Sequence, residues 1–187
     1  MKTHIRDDAV KTRPTYVGYI AMSLDSFIAD AEGSVAWLDP FNEVASSNGT
    51  DNGYGDFIEQ IDALIVGRST YEQVMGWGWP YDNRPCYVLT RKPGFSGEHV
   101  SSAGDIDELR NAIEADGHKR VWVMGGGETQ RAALDASMFD SLRVFVMPVV
   151  LGGGLPCFAP GPQANLSLIE SAQRPGGILQ IDYEFKD

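Results

Sequence analysis

Val121-Trp122-Val123-Met124-Gly125-Gly126-Gly127-Glu128-Thr129-Gln130 decides the reading of this chain. A short apolar run stops at three glycines, and a helix-compatible stretch, Arg131-Ala132-Ala133-Leu134, follows. The run predicts a buried strand over 120–124 and a helix over 128–137. A strand that ends in a glycine turn and feeds a helix N-terminus forms a phosphate site. The glycines admit close backbone approach, and the first-turn N–H groups have no partner of their own. Such a turn can also serve plain chain reversal, so its meaning depends on its surroundings.

Outward from this segment, apolar runs alternate with helical patterns. Residues 16–22 predict a first strand. A Gly-, Asn-, Asp- and Ser-rich segment then runs to about Gly55 and reads as one long loop, with Trp37-Leu38 in its middle. A short helix is predicted over 54–61 and a buried strand over 63–66. Ser69 reads as the N-cap of the next helix, with Glu72 at capping-box distance. That helix stops at Gly76-Trp77-Gly78-Trp79-Pro80. A strand over 86–90 ends in the turn Arg91-Lys92-Pro93-Gly94, and 105–115 forms an amphipathic helix. A strand over 142–147, a loop over 148–156 and two late strands, 165–172 and 177–185, complete the chain. Strands and helices in this order imply an α/β fold: a mostly parallel sheet with helices on both faces and an antiparallel C-terminal edge.

The 187 residues carry 43% hydrophobic side chains, suited to one domain over 15–187 after a flexible lead-in over 1–14. That lead-in lacks the apolar core of a secretory signal, and no run is long enough to cross a bilayer. Two cysteines and three scattered histidines offer no metal cluster. The expectation is a cytoplasmic protein with reduced thiols and no metal. A net charge of −11 argues against nucleic acid or a membrane surface as partner, while leaving room for a local basic pocket.

Such a pocket is on offer. In open α/β sheets ligands bind beyond the C-terminal ends of the strands. Three such ends carry Gly67-Arg68-Ser69-Thr70, Thr90-Arg91-Lys92 and Gly125-Gly126-Gly127-Glu128-Thr129. They could hold a pyrophosphate and a separate phosphate, which is the pattern of NADPH. A dinucleotide fingerprint of the Rossmann kind is not met, because its last glycine is replaced by Gln130. Trp77, Trp79 and Tyr81 could wall a pocket, form a dimer contact or pack beneath a loop.

The set Ala21-Met22-Ser23-Leu24-Asp25-Ser26-Phe27-Ile28-Ala29, Gly67 to Glu72, Val88-Leu89-Thr90-Arg91, Met124 to Gly127 and Pro148 to Gly154 resembles the dihydrofolate reductase-like family. Within it, the chain is most similar to the C-terminal reductase domain of the riboflavin-biosynthesis deaminase–reductase and its stand-alone relatives. The resemblance implies an NADPH-dependent reductase and a homodimer. It places Gly67, Arg68, Ser69, Thr70, Thr90, Arg91 and Lys92 at the 2′-phosphate end of the cofactor. Gly125, Gly126, Gly127, Glu128 and Thr129 would cradle the pyrophosphate, and Ala21 would border the nicotinamide. Trp37, Leu151, Gly152 and Gly153 would line the substrate pocket. Asp25 would lie near the substrate, and Asp56, Glu59 or Asp51 could supply the proton; Asp25 and Asp56 stand as the candidate catalytic pair. The acidic residue that the riboflavin-pathway reductases carry before two glycines is replaced here by Gly125 or Met124. The implied substrate is a ribosylaminopyrimidine, 5-amino-6-(5-phosphoribosylamino)uracil. A dihydrofolate or pterin, or binding of NADP without catalysis, are the alternatives.

Overall fold

The computed structural model describes residues 13–186, so most of the expected lead-in over 1–14 lies outside the described residues. Ten strands and five α-helices follow in the order β1 (Thr15–Ser23), β2 (Phe27–Ala29), α1 (Asp39–Ser47), α2 (Tyr54–Ile58), β3 (Ala63–Gly67), α3 (Arg68–Gly76), β4 (Cys86–Leu89), β5 (Val100–Ala103), α4 (Ile106–Ala115), β6 (Arg120–Gly125), α5 (Gly127–Asp135), β7 (Phe139–Met147), β8 (Leu155–Pro156), β9 (Leu166–Arg174) and β10 (Ile178–Phe185). Eight of the strands form one sheet in the order β5-β4-β3-β6-β1-β7-β10-β9. Neighbours from β5 to β7 run parallel, and β10 and β9 add an antiparallel edge. This is the α/β arrangement with an antiparallel C-terminal edge that the sequence implies.

Alternation along the central strands divides the core. Ala63 and Ile65 of β3 pack with Tyr16, Val121 and Val123 against Leu109 and Ile113 of α4 and Ala133 of α5. Leu64, between them in sequence, faces the other way and packs with Trp122 against Phe57 of α2 and Val74 of α3. The interior strands are therefore apolar on both sides, which is why their sequences read as continuous hydrophobic runs.

Several elements are additional to the sequence reading. The long segment after the first strand is not one loop. It contains β2, a 3-10 turn over Ala36–Leu38 and α1. Pro40 lies in the first turn of α1, where proline's missing N–H costs nothing, and Phe41 faces the cluster of Phe145, Met147 and Ile178. β5 is also additional; its Ser101 and Ser102 are exposed, so it lacks the apolar run that marks its neighbours.

Ile65 is fully buried at the centre of the sheet. Ile65→Ala should therefore lower unfolding free energy by about 2–5 kcal/mol in urea titrations. The denaturant slope should stay unchanged.

Candidate functional site

The β1–β6 ladder runs from Thr15 opposite Arg120 to Gly18 opposite Val123 and stops there. On the other side of β1, pairing with β7 continues to Ser23 opposite Met147. The pairing of β6 with β3 likewise continues, to Val66 opposite Gly125. The sheet thus splits between the C-terminal halves of β1 and β6. An opening of this kind at the strands' carboxyl ends is where open α/β sheets receive ligands.

Beside the split lies a cavity of about 900 Å³. Gly67, Arg68, Ser69 and Thr70 line it from the start of α3, Thr90, Arg91 and Lys92 from the end of β4, and Gly126, Gly127, Glu128 and Thr129 from the start of α5. The three strand ends singled out in the sequence therefore converge on one space. Ala21 and Gly125 are not among its walls. Ala21 packs against the Phe145, Met147 and Ile178 cluster instead. Gly125 is buried at φ 120°, a backbone conformation that suits glycine, and its Cα side faces the Gln130 side chain.

Two helix N-termini open into this cavity, those of α3 and α5, and neither carries a side-chain cap. Their first-turn N–H groups suit an anion. Ser69 is a correction to the sequence reading. The cap position is Gly67, the helix begins at Arg68, and the Ser69 hydroxyl is left uncommitted within the first turn. Glu72 closes no capping box; it binds Arg68 Nη1 at 2.9 Å across one helical turn. Arg91 and Lys92 are exposed at the cavity wall, and Lys92 N–H donates to Thr90 Oγ1 at 3.2 Å. Gly127 must be glycine for another reason: a Cβ there would collide with the Pro156 carbonyl oxygen. Ala159 N–H donates to the Gly127 carbonyl at 3.1 Å and pins the β8 strip across the start of α5.

The two candidate catalytic carboxylates occupy different settings. Asp25 is a fastener. Its Oδ1 accepts from Ser23 Oγ at 2.6 Å and from Leu151 N–H at 3.0 Å, and its Oδ2 accepts from Gly152 N–H at 2.7 Å. The Ser23 hydroxyl first, then the two backbone N–H groups, hold this carboxyl below the usual carboxylate range. A group so held is a poor proton donor near neutrality. Asp56 is exposed on α2, because Phe57 takes the inward position, and its carboxylate makes no hydrogen bond or ion pair among the described residues. Asp51, like Asp25, is committed. It accepts from Gly53 N–H and Gly55 N–H, which lower its pKa.

Of the expected substrate residues, Trp37 joins Tyr19, Ala21, Phe41, Phe145 and Val149 around the end of β1. Leu151 and Gly152 are held by Asp25, and Gly153 follows them; none of the three lines the cavity. The sequence reading passed over Gln130 as a supporting residue. It is fully buried, and its Nε2 donates to the carbonyls of Val123 at 3.1 Å and Met124 at 3.2 Å, directly beneath the glycine turn. A polar residue one helical turn after a glycine stop was the available signal. Cys86 and Cys157 are buried, and burial pushes both thiols up to about 12.

A family model described as the RibD C-terminal domain matches residues 14–179. The chain belongs to that family. Among its relatives is the protein YwjB of Bacillus subtilis (strain 168), 34% identical over 169 residues, covering 88% of this chain and 94% of that one. A solved protein of Shewanella sp. PV-4 assigned to riboflavin biosynthesis is 28% identical, with a TM-score of 0.79, covering 92% of this chain and 99% of that one. A dihydrofolate reductase of Enterococcus faecalis, solved with NADP(H), shares the fold at 20% identity and a TM-score of 0.66, covering 92% of this chain and 97% of that one. The RibD C-terminal family is a reductase-type family, and no helix among the described residues is long and apolar enough to cross a membrane.

Asp25→Asn should speed hydrogen exchange at the Leu151 and Gly152 amides while leaving exchange in β3 unchanged. In the wild type the folded carboxyl titrates below its ordinary 3.8. Protection at Leu151 and Gly152 should therefore be complete above that value and disappear as pH falls through the lowered one.

Proposed function

We propose that this protein is an NADPH-dependent reductase that transfers hydride to a pyrimidine- or pterin-like ring. The observation that carries this reading is the split between β1 and β6 beside a cavity with two uncapped helix N-termini and the exposed cations Arg91 and Lys92. The donor set fits a dinucleotide phosphate: the helix termini and the Ser69 and Thr70 hydroxyls suit a pyrophosphate, and Arg91 with Lys92 suits an additional phosphate. When bound, the cofactor supplies the hydride. The chain's own part is to orient and to exclude water. Tyr19, Ala21 and Trp37, only partly buried over the core residue Phe145, are the apolar residues proposed to receive a planar ring by the split.

The family and the Shewanella relative support a ribosylaminopyrimidine of the riboflavin pathway as the first candidate substrate; the shared dihydrofolate reductase fold supports a pterin as the second. Among the described carboxyls with a clear shift, Asp25, Asp51 and Asp135 are all lowered. With the Asp25 and Asp51 carboxylates committed to hydrogen bonds, water at the site is the proposed proton source.

Replacing Arg91 and Lys92 together with alanine should weaken NADPH roughly tenfold or more while leaving NADH within about twofold, since charge-assisted phosphate contacts contribute on the order of 1.5–3 kcal/mol. Calorimetric titration checks this, and equal losses for both cofactors would remove these residues from the phosphate site. Turnover of a pterin or aminopyrimidine with NADPH tests the reaction. Asp56→Asn should leave that turnover within twofold, and a large loss would restore Asp56 as the acid.

The reductase is proposed to work as a homodimer through the β9–β10 hairpin. Glu170, Arg174, Asp182 and Glu184 all sit on the hairpin face shared with Phe145, whereas Leu168, Leu179, Ile181 and Tyr183 sit on the other, uncharged face. Leu168 is 61% and Leu179 43% exposed. In a chain of net charge −11, an uncharged apolar face is where two identical copies can meet without repulsion. Leu179→Glu should convert a dimer mass in light scattering to a monomer mass; a wild-type monomer would overturn the dimer.

A further inference from the structure

Six of the described arginines, Arg13, Arg68, Arg84, Arg110, Arg131 and Arg143, each pair with a carboxylate. Arg174, the last residue of β9, does not. Its Nε donates to Gln180 Oε1 at 2.8 Å, and its two Nη groups make no hydrogen bond or ion pair among the described residues. Gln180 is only 3% exposed, and its Nε2 donates to both oxygens of Asp182 at 3.2 Å. Asp182 in turn accepts two bonds of 2.7 Å from Arg143. This chain of side chains holds the Arg174 guanidinium by its Nε and leaves its forked Nη edge open. Asp182 offsets the charge of Arg143. The charge of Arg174 is not offset, because a neutral amide holds it.

This guanidinium stands on the ring side of the slot. Arg174 pairs with Ile178 across the hairpin, and Ile178 belongs to the cluster with Phe145 and Met147 on which Tyr19, Ala21 and Trp37 pack. The turn that follows lies against α1, since a Cβ on Gly176 would meet Val44 and Phe41. Tyr19, Arg143 and Asp182 are direct neighbours across β1, β7 and β10. Burial pushes the Tyr19 hydroxyl up from its ordinary 10.0, and Arg143 and Arg174 both pull it down, so both cations reach the end of this phenol. The Tyr19 hydroxyl makes no hydrogen bond among the described residues, and the Trp37 indole N–H is buried without a partner.

The carboxylates of this region are engaged or distant. Asp182 is held by Arg143, and Asp51 accepts from Gly53 N–H and Gly55 N–H. Glu170 lies four residues back along β9, about 13 Å from Arg174 at strand spacing. The groups left open are a guanidinium edge, a phenol O–H and an indole N–H, all able to donate. Such a set suits an acceptor-rich ligand, and the fork of a fixed guanidinium matches two oxygens of a phosphate.

We propose that Arg174 is the specificity residue of the substrate side: its Nη edge receives the phosphate on the arm beyond the reacting ring, and Gln180 is the positioning residue that aims it. This rests on the reductase reading for the identity of the ring. It narrows that reading to a phosphorylated ribosylaminopyrimidine, taken over its dephosphorylated counterpart and over a pterin without a phosphate.

The test compares 5-amino-6-(5-phosphoribosylamino)uracil with the same compound lacking its phosphate in NADPH turnover. The phosphorylated compound should show a kcat/KM roughly tenfold or more higher, and the advantage should shrink with added salt. Arg174→Gln should remove that advantage by raising KM for the phosphorylated compound roughly tenfold, with kcat within about twofold. The dephosphorylated compound, NADPH affinity and the urea midpoint should stay unchanged. Arg174→Lys should restore part of the loss, because the charge returns without the fork. Gln180→Leu should weaken the phosphorylated compound although Arg174 is present. An equal loss for both compounds, or no loss, would overturn the proposal. Ribose 5-phosphate and ribose, followed by NMR at the Arg174 Nε–H resonance, test the site without any ring. A shift with ribose 5-phosphate alone, in a protein that reduces neither uracil nor pterin, would sink the reductase reading and leave the phosphate site standing. No shift, in a protein that reduces either ring with NADPH, would sink the phosphate site and leave the reductase.

Discussion

The hydrogen-bond ladder between β1 and β6 ends at Gly18 and Val123 although both strands continue. Much of the candidate site depends on this interruption. It opens a slot between two strands whose outer neighbours, β7 and β3, stay paired further along. Backbone groups left without a strand partner at such a slot must find one in a ligand, in water or in a covering segment. The sheet manages this partly with covering segments. The strip around β8 pairs with β2 and passes its Ala159 N–H to Gly127, while the Asp25 carboxylate ties the loop after β7 back to the turn after β1. The slot is thus bordered by two fixed edges. One is the glycine turn carried on Gln130; the other is the Asp25 clamp.

Rigidity of that border matters for hydride transfer, which depends on the approach of two planar rings. The cavity offers the means to hold a cofactor without many dedicated side chains. Backbone N–H groups at two helix starts do not change rotamer, and the helix dipoles add to them. This explains how the site can be assembled from glycines, threonines and a serine, with charged residues at its wall rather than at its centre. It also explains the position of Glu128. Its carboxylate is exposed in the first turn of α5, where the helix dipole favours it.

Several of these features were legible in the sequence for local reasons. Val121 to Gly127 announces strand, stop and helix within seven residues, and Gly67 to Thr70 and Leu89 to Lys92 are similarly self-contained. Their convergence follows from parallel strands in one sheet. What was hidden depends on distant partners. Asp25 looks like a catalytic carboxylate until Leu151 and Gly152, 126 and 127 residues away, are seen to donate to it. Gly127 looks like a ligand-approach glycine, yet Pro156 also forbids a side chain there. α1 was obscured because its exposed face is Asn, Glu and Ser, the same composition that marks a loop. Only Phe41, Val44 and Ala45 at helical spacing distinguish the two. β5 was obscured because an edge strand needs only one covered side and a short ladder.

The charge distribution gives the proposed site a direction. A chain of net charge −11 repels a phosphate at long range, so an anionic cofactor must be won locally, by helix starts and by Arg91 and Lys92 within a few ångströms. The substrate side is not without cations: Arg143, bound to Asp182, and Arg174 both act on Tyr19 beside the slot. The acidic net charge and the basic cavity wall, which look contradictory in the composition, act over different distances.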